Sequence, residues 1–184
     1  MRDMFDEKFI ADCEMLKNDP RKFVNLMTRR IQDNPKDCGS YFSRHHGWLS
    51  LGRKAMALDD PDAAMAMKYK ALDDLNPAMS LKTTAVQYLA RGNILASLGR
   101  HQDAVDDFAK GQAMNPENWD HMWGPLYQAS SHAYLGHEQE ALAACDRLFE
   151  DHWTPGSYGA PRGDKQDVIA EIRRRLAEVR GTKG

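Results

Sequence analysis

Long apolar runs are missing from these 184 residues: the longest span only a few positions, far short of the roughly 20 that a membrane-crossing helix needs. The expectation is a chain with no membrane span. The opening residues, Met1-Arg2-Asp3-Met4-Phe5-Asp6-Glu7-Lys8, are charged throughout rather than basic and then apolar, so no secretory leader is expected. Cysteine is scarce. Cys13, Cys38 and Cys145 are odd in number, far apart and without a C-x-x-C pair. That argues against a disulfide framework or a zinc site and for the reducing cytoplasm.

Charge of one sign is also lacking, since 25 Lys and Arg face 27 Asp and Glu, for a formal net charge of −2. Catalytic signatures are absent as well. There is no G-x-S-x-G elbow, no G-x-x-x-x-G-K-[ST] loop, no H-E-x-x-H and no G-x-G-x-x-G. No enzyme and no cofactor are therefore expected.

What is present is punctuation at a regular interval. Asn34-Pro35, Asn76-Pro77, Asn115-Pro116 and Thr154-Pro155 place prolines 42, 39 and 39 residues apart. Proline has no N–H to donate and disfavours helical dihedrals in the residue before it, so each dipeptide is read as the end of a helical stretch. A second break falls inside each interval. Leu98-Gly99-Arg100-His101-Gln102-Asp103-Ala104 and Leu135-Gly136-His137-Glu138-Gln139-Glu140-Ala141 share Leu, Gly, Gln and Ala in register, with glycine suited to a left-handed helix end. Asp60-Pro61 and Asp19-Pro20 make the earlier breaks, each an acidic N-cap followed by proline in the first turn. Between breaks the apolar spacing is helical: Phe5, Phe9, Cys13 and Leu16, then Phe23, Met27 and Ile31.

Trp48-Leu49-Ser50-Leu51-Gly52 followed by Ala55 reads W-x-x-L-G-x-x-A. Tyr88, Gly92, Ala104-x-x-x-Phe108 and Pro116 then follow in order, and Pro125, Ala129, Ala141 and Cys145 echo them more faintly. This pattern resembles the tetratricopeptide repeat. The period exceeds that family's usual length of about 34 residues, so a related solenoid of longer period is the alternative. Gly52, Gly92 and Ala129, like Ala64, Ala104 and Ala141, are small where paired helices should approach.

The resemblance implies an all-α fold, a right-handed α-α superhelix of about four helix pairs plus a C-terminal capping helix, forming a single domain over 1–184. The pairs are expected at 3–35, in degenerate form, then 39–77, 78–116 and 117–155. The Gly- and Pro-rich stretch 156–163 reads as a loop. The capping helix, 164–181, carries Val168, Ile169, Ile172, Leu176 and Val179 on one face and Glu171, Arg173, Arg174 and Arg175 on the other. Nine helices are expected in all.

In this family the first helices of successive pairs line a concave groove. Register would place Leu49, Arg53 and Met56 there, then Leu89, Asn93 and Ala96, then Trp123, Leu126, Ser130 and Tyr134. Each apolar member reads equally well as packing between helices, and Arg53 as a solvated charge. Leu49 and Ala90 stand where a carboxylate-gripping subtype of the family has polar residues, so an apolar and aromatic groove is expected instead. Adjacent His45 and His46 diverge by about 100° on a helix, and His132 and His137 straddle a turn. The histidines are read as helix-surface residues and no metal is assigned. The run Arg173-Arg174-Arg175 with Arg180 and Lys183 reads as a solubilising helix end, and no nucleic acid is expected.

The function implied is a non-enzymatic protein- or peptide-binding adaptor or scaffold. The alternatives are a dedicated bacterial chaperone for a secreted client and a self-assembling repeat protein. Self-assembly would give a homodimer through the N-terminal helix pair, with Phe5, Phe9 and Phe23 exposed.

Overall fold

Local capping signals set most of the helix boundaries. The computed structural model describes residues 2–151, 153, 154, 156 and 158–182, with side chains from residue 7 onward. Among these residues the chain forms nine helices and divides into two compact units, 1–83 and 84–184.

The N-terminal unit holds α1 (Arg2–Asn18), α2 (Pro20–Asp33), α3 (Cys38–Ala57) and α4 (Pro61–Leu81). Asp19 accepts from the Lys22 backbone N–H and Asp60 from that of Ala63, and Pro20 and Pro61 follow them in the first helical turns. An N-cap acceptor of this kind contributes about 1 kcal/mol. Asp37 opens α3 in the same way. The α3–α4 turn is closed by Asp59 at φ 57 rather than by glycine. Asp is among the few L-residues that tolerate this conformation.

Phe23, Val24, Met27 and Ile31 of α2 are buried, so Phe23 is core, contrary to the exposed role expected of it. Phe9 and Ile10 of α1 are exposed at 70% and 54%. The side chain of Phe5 lies outside the described residues. A two-pronged ion pair fastens α1 to α2, with Arg30 Nη1 2.7 Å and Nη2 3.1 Å from the Asp12 carboxylate.

Two of the proline stops do not hold. Asn34 and Asn115 cap α2 and α6 as expected, but Pro77 sits inside α4, which runs on to Leu81. An interior proline costs about 3 kcal/mol. The final turn is compensated by burial of Ala78 at 0% and Met79 at 8% exposure and by Ser80 Oγ and Thr83 Oγ1, which donate to the Asn76 and Met79 carbonyls. Thr154-Pro155 ends no helix either, because α8 has already finished at Asp146.

The C-terminal unit holds α5 (Ala85–Ser97), α6 (His101–Met114), α7 (Gly124–Leu135), α8 (Glu138–Asp146) and α9 (Lys165–Gly181). Gly99 and Gly136 both take φ 77, the left-handed helix ends read from the sequence. Small residues admit large ones here: a Cβ on Gly92 would run into the Phe108 ring, and one on Gly111 into the Trp119 indole. A short antiparallel ladder, β1 (Trp153–Thr154) against β2 (Gly163–Asp164), brackets the segment read as loop, with β1 falling where the fourth helix pair was expected to extend. Two residues a side are too few to show alternation in sequence.

α9 closes the unit as anticipated. Asp164 and Asp167 form a capping box, and Val168, Ile172 and Leu176 are buried against Leu126, Ala129, Ala133, Ala141 and Cys145. Complete burial of each branched side chain contributes about 1.5–3 kcal/mol. Arg175 departs from the expected outer face. It turns inward, Nε on Glu171 Oε1 at 2.8 Å and Nη1 on Ser130 Oγ at 2.9 Å and the Gly159 carbonyl at 2.6 Å, tying α9, α7 and the loop together. Burial of Ala160 and Pro161 anchors that loop further.

Candidate functional site

The residues expected to line a groove divide into core and surface. In the N-terminal unit Leu49 is buried at 8% exposure while Met56 is 58% exposed. Arg53 is exposed, and its charge joins burial in lowering the pKa of His46. In the C-terminal unit Leu126 is fully buried and Ser130 and Ala96 nearly so. These and Leu49 are packing residues, because an apolar side chain in a close-packed interior has no surface to offer a partner. Leu89 is half-buried, and Trp123 and Tyr134 are 39% and 42% exposed. Asn93 is buried, and its Oδ1 finds no hydrogen-bond partner among the described residues.

Tyr134 is an exposed aromatic of the set whose ring is held by two neighbours. At the end of α7 its ring stacks on His101, the first residue of α6, with centroids 4.2 Å apart and planes 12° from parallel. The Arg175 guanidinium lies 4.8 Å from the ring centroid. Burial, and then the Arg175 charge, hold the His101 imidazole below its usual pKa, which favours the neutral ring. Arg175 is itself fixed by Ser130, Gly159 and Glu171. Glu171 is drawn down to a pKa of about 2, chiefly by its hydrogen bond from Arg174. Helices α5 and α7, which carry Leu89, Asn93 and Tyr134, touch one another in the same unit.

Trp123 reaches the surface by a different route. It precedes α7 at φ 67, a conformation costing a bulky residue about 1–3 kcal/mol. Trp119, which no motif of the sequence singles out, lies against Gly111 and Gly124. It is fully buried, with Nε1 donating to Gln128 Oε1 at 2.9 Å while Gln128 Nε2 donates to Gln112 Oε1 at 2.9 Å. The facing glycines, Gly111 and Gly124, are its one trace in the sequence.

The histidines are not uniformly surface residues. His45 is completely buried, its Nδ1 against the Phe42 carbonyl, and burial pushes its pKa down to about 3. Because a carbonyl only accepts, Nδ1 carries the proton and Nε2 is the bare, unpartnered nitrogen. The His45 and His46 rings pack with centroids 3.8 Å apart, closer than their backbone directions suggest. His132 and His137 bring their Nδ1 atoms to 3.4 Å across the α7–α8 turn. Among the described residues no group of three or more His, Cys, Asp or Glu side chains could hold a metal ion. Cys145 is buried, and its thiol pKa is raised to about 11, mainly by desolvation.

No protein-family model matches the chain, and no curated protein matches its sequence. Packed helix pairs closed by a capping helix nevertheless define an all-helical repeat protein, and the fold is that of the tetratricopeptide repeat. The solved structures it is similar to include a thermophilic tetratricopeptide-repeat protein of Thermus thermophilus, at a TM-score of 0.61 and 19% identity over 91% of this chain and 76% of that one. Another is MamA, at a TM-score of 0.41 and 16% identity over 75% of this chain and 91% of that one. Among the described residues no helix is long and apolar enough to cross a membrane.

Proposed function

We propose that the chain is a non-enzymatic protein-binding adaptor that engages an extended peptide or a helix of its partner through exposed residues of its repeat helices. The supporting observation is Tyr134, an exposed aromatic ring already fixed between His101 and Arg175. Binding hot spots are rich in tyrosine, tryptophan and arginine, and a side chain ordered before binding loses little entropy in the complex. Leu89 and Trp123 offer further partly exposed apolar surface in the same unit. Met56 and Arg53 present a second exposed pair on α3. The repeat fold gives such contacts a rigid helical frame, and a cytoplasmic location suits three free cysteines.

Affinity capture from the source organism with mass spectrometry tests the reading. Tyr134→Ala and Arg53→Ala are expected to lose the captured partner while keeping wild-type thermal stability within about 1 kcal/mol, as for surface substitutions generally. Retention of the partner by both variants overturns the assignment of these surfaces.

A second reading, self-assembly through α1, is favoured by the exposure of Phe9 and Ile10 on one helix. Light scattering that reports a strict monomer at high concentration removes it.

A further inference from the structure

Three large aromatic side chains converge on one recess of the C-terminal unit. Trp123, Phe149 and Trp153 are 39%, 43% and 56% exposed, and together with Asp120, His121 and Asp151 they line a cavity of about 330 Å³. Exposed apolar groups scattered singly need no explanation, but three aromatics in one place do.

Several of the lining residues are held by contacts of their own. Trp123 is fixed in its left-handed conformation, with its backbone N–H on the Asp120 carbonyl at 3.3 Å. His121 stacks on Phe149 with ring centroids 5.0 Å apart. Trp153 is paired with Asp164 in the two-stranded ladder. Asp120 is already engaged by the Arg147 guanidinium. Asp151 is exposed and makes no ion pair among the described residues. Asp151 is therefore the carboxylate of the described lining that carries no cationic partner.

We propose that this recess takes the cationic side chain of a lysine or arginine on the partner, its charge over the Trp123, Phe149 and Trp153 rings and within the field of Asp151. Aromatic faces are electronegative and attract cations, indole most strongly. The methylene stem of Lys or Arg lies along apolar surface while the head keeps its charge. The volume equals the share of roughly ten waters, enough for one long side chain. The identity of the partner rests on the protein-binding reading above, but the chemistry of the recess does not, since small cations report on it directly.

The test follows the indole N–H signals of the ¹⁵N-labelled full chain, one for each of its four tryptophans, while N-acetyl-lysine methylamide, N-acetyl-arginine methylamide or uncharged N-acetyl-norleucine methylamide is added. Both cationic probes are expected to shift Trp123 and Trp153 and to leave Trp48 in place. Norleucine needs a concentration about two- to fivefold higher for the same shift, the factor an exposed cation–π contact supplies. Asp151→Asn weakens the cationic probes by a similar factor, and Trp153→Ala abolishes the response of Trp123. Equal response to norleucine, or no shift of either indole by the cations, overturns the proposal. Failure of the protein-binding reading looks different: the cations still shift both indoles, yet the wild-type chain captures no partner.

Discussion

The Arg44 guanidinium grips the Asp74 carboxylate with two hydrogen bonds, Nε at 2.9 Å and Nη2 at 2.6 Å, joining α3 to α4. Trp48 Nε1 donates to the same carboxylate at 3.0 Å, and Arg44 Nη1 reaches Thr28 Oγ1 of α2 at 3.0 Å. The C-terminal unit repeats the device with Arg91 on Asp107, at 2.7 and 2.8 Å. In both, a tyrosine three residues before the arginine stands beside its guanidinium, Tyr41 at 5.8 Å and Tyr88 at 5.7 Å.

Removing one partner of such a pair strands a charge away from water. The Asp74 and Asp107 side chains are only 6% and 4% exposed. Arg44→Met and Arg91→Met leave these carboxylates without their cation and are each expected to destabilise the protein by about 3–5 kcal/mol in urea unfolding. In a double-mutant cycle, Asp74→Ala should recover part of the loss from Arg44→Met. A loss below about 1 kcal/mol for both single variants would show the pairs to be ordinary surface bridges.

His45 gives stability a pH dependence of definite sign. Its folded pKa of about 3 lies below the usual 6.5, so the unfolded chain takes up the proton first. The contribution is complete above about pH 6.5 and is lost as pH falls toward 3, at up to about 1.4 kcal/mol per pH unit. Denaturation at pH 7, 5.5 and 4.5 should show His45→Gln losing less stability over this interval than wild type. Parallel pH profiles would refute the assignment.

Gly92 and Gly52 occupy matching small slots but differ in room. A Cβ at Gly92 overlaps the Phe108 ring, whereas at Gly52 the nearest atoms are Met67 Cβ at 3.3 Å and the Ala64 carbonyl oxygen at 3.4 Å. Gly92→Ala is expected to cost about 1–3 kcal/mol through overpacking. Gly52→Ala should stay within about 1 kcal/mol of wild type, because helix propensity offsets the tighter contact. Thermal unfolding of the two variants checks the order, and the reverse order contradicts it.

Pro77→Ala restores a donor inside α4 and is expected to stabilise the protein by about 1–3 kcal/mol. Calorimetry that shows no gain would mean that the helix already accommodates the ring without loss.

Helix breaks carried by capping chemistry are legible in the sequence, because Asp19 and Asp60 act through their side chains on N–H groups three residues on, and Gly99 and Gly136 through their own backbone. The expected stop at Pro77 fails, since proline sets a local cost that tertiary burial of Ala78 and Met79 outweighs. The surface can be read only in part. Register separates neither Leu126, which is core, from Tyr134, which is exposed, nor an outward Arg174 from an inward Arg175. The Arg–Asp pairs are not legible at all: their partners lie 30 and 16 residues apart and meet only when the helices pack. The aromatic recess draws on the loop around Trp153, where no periodicity exists to read.

Site-specific photo-crosslinking tests the protein-binding claim most directly. Benzoylphenylalanine is placed at position 134, and in a second variant at exposed Lys110 of α6, and each is irradiated in extract of the source organism. A discrete protein adduct from position 134 and none from position 110 is the expected result. Equal labelling at both positions, or an adduct from 110 alone, contradicts it.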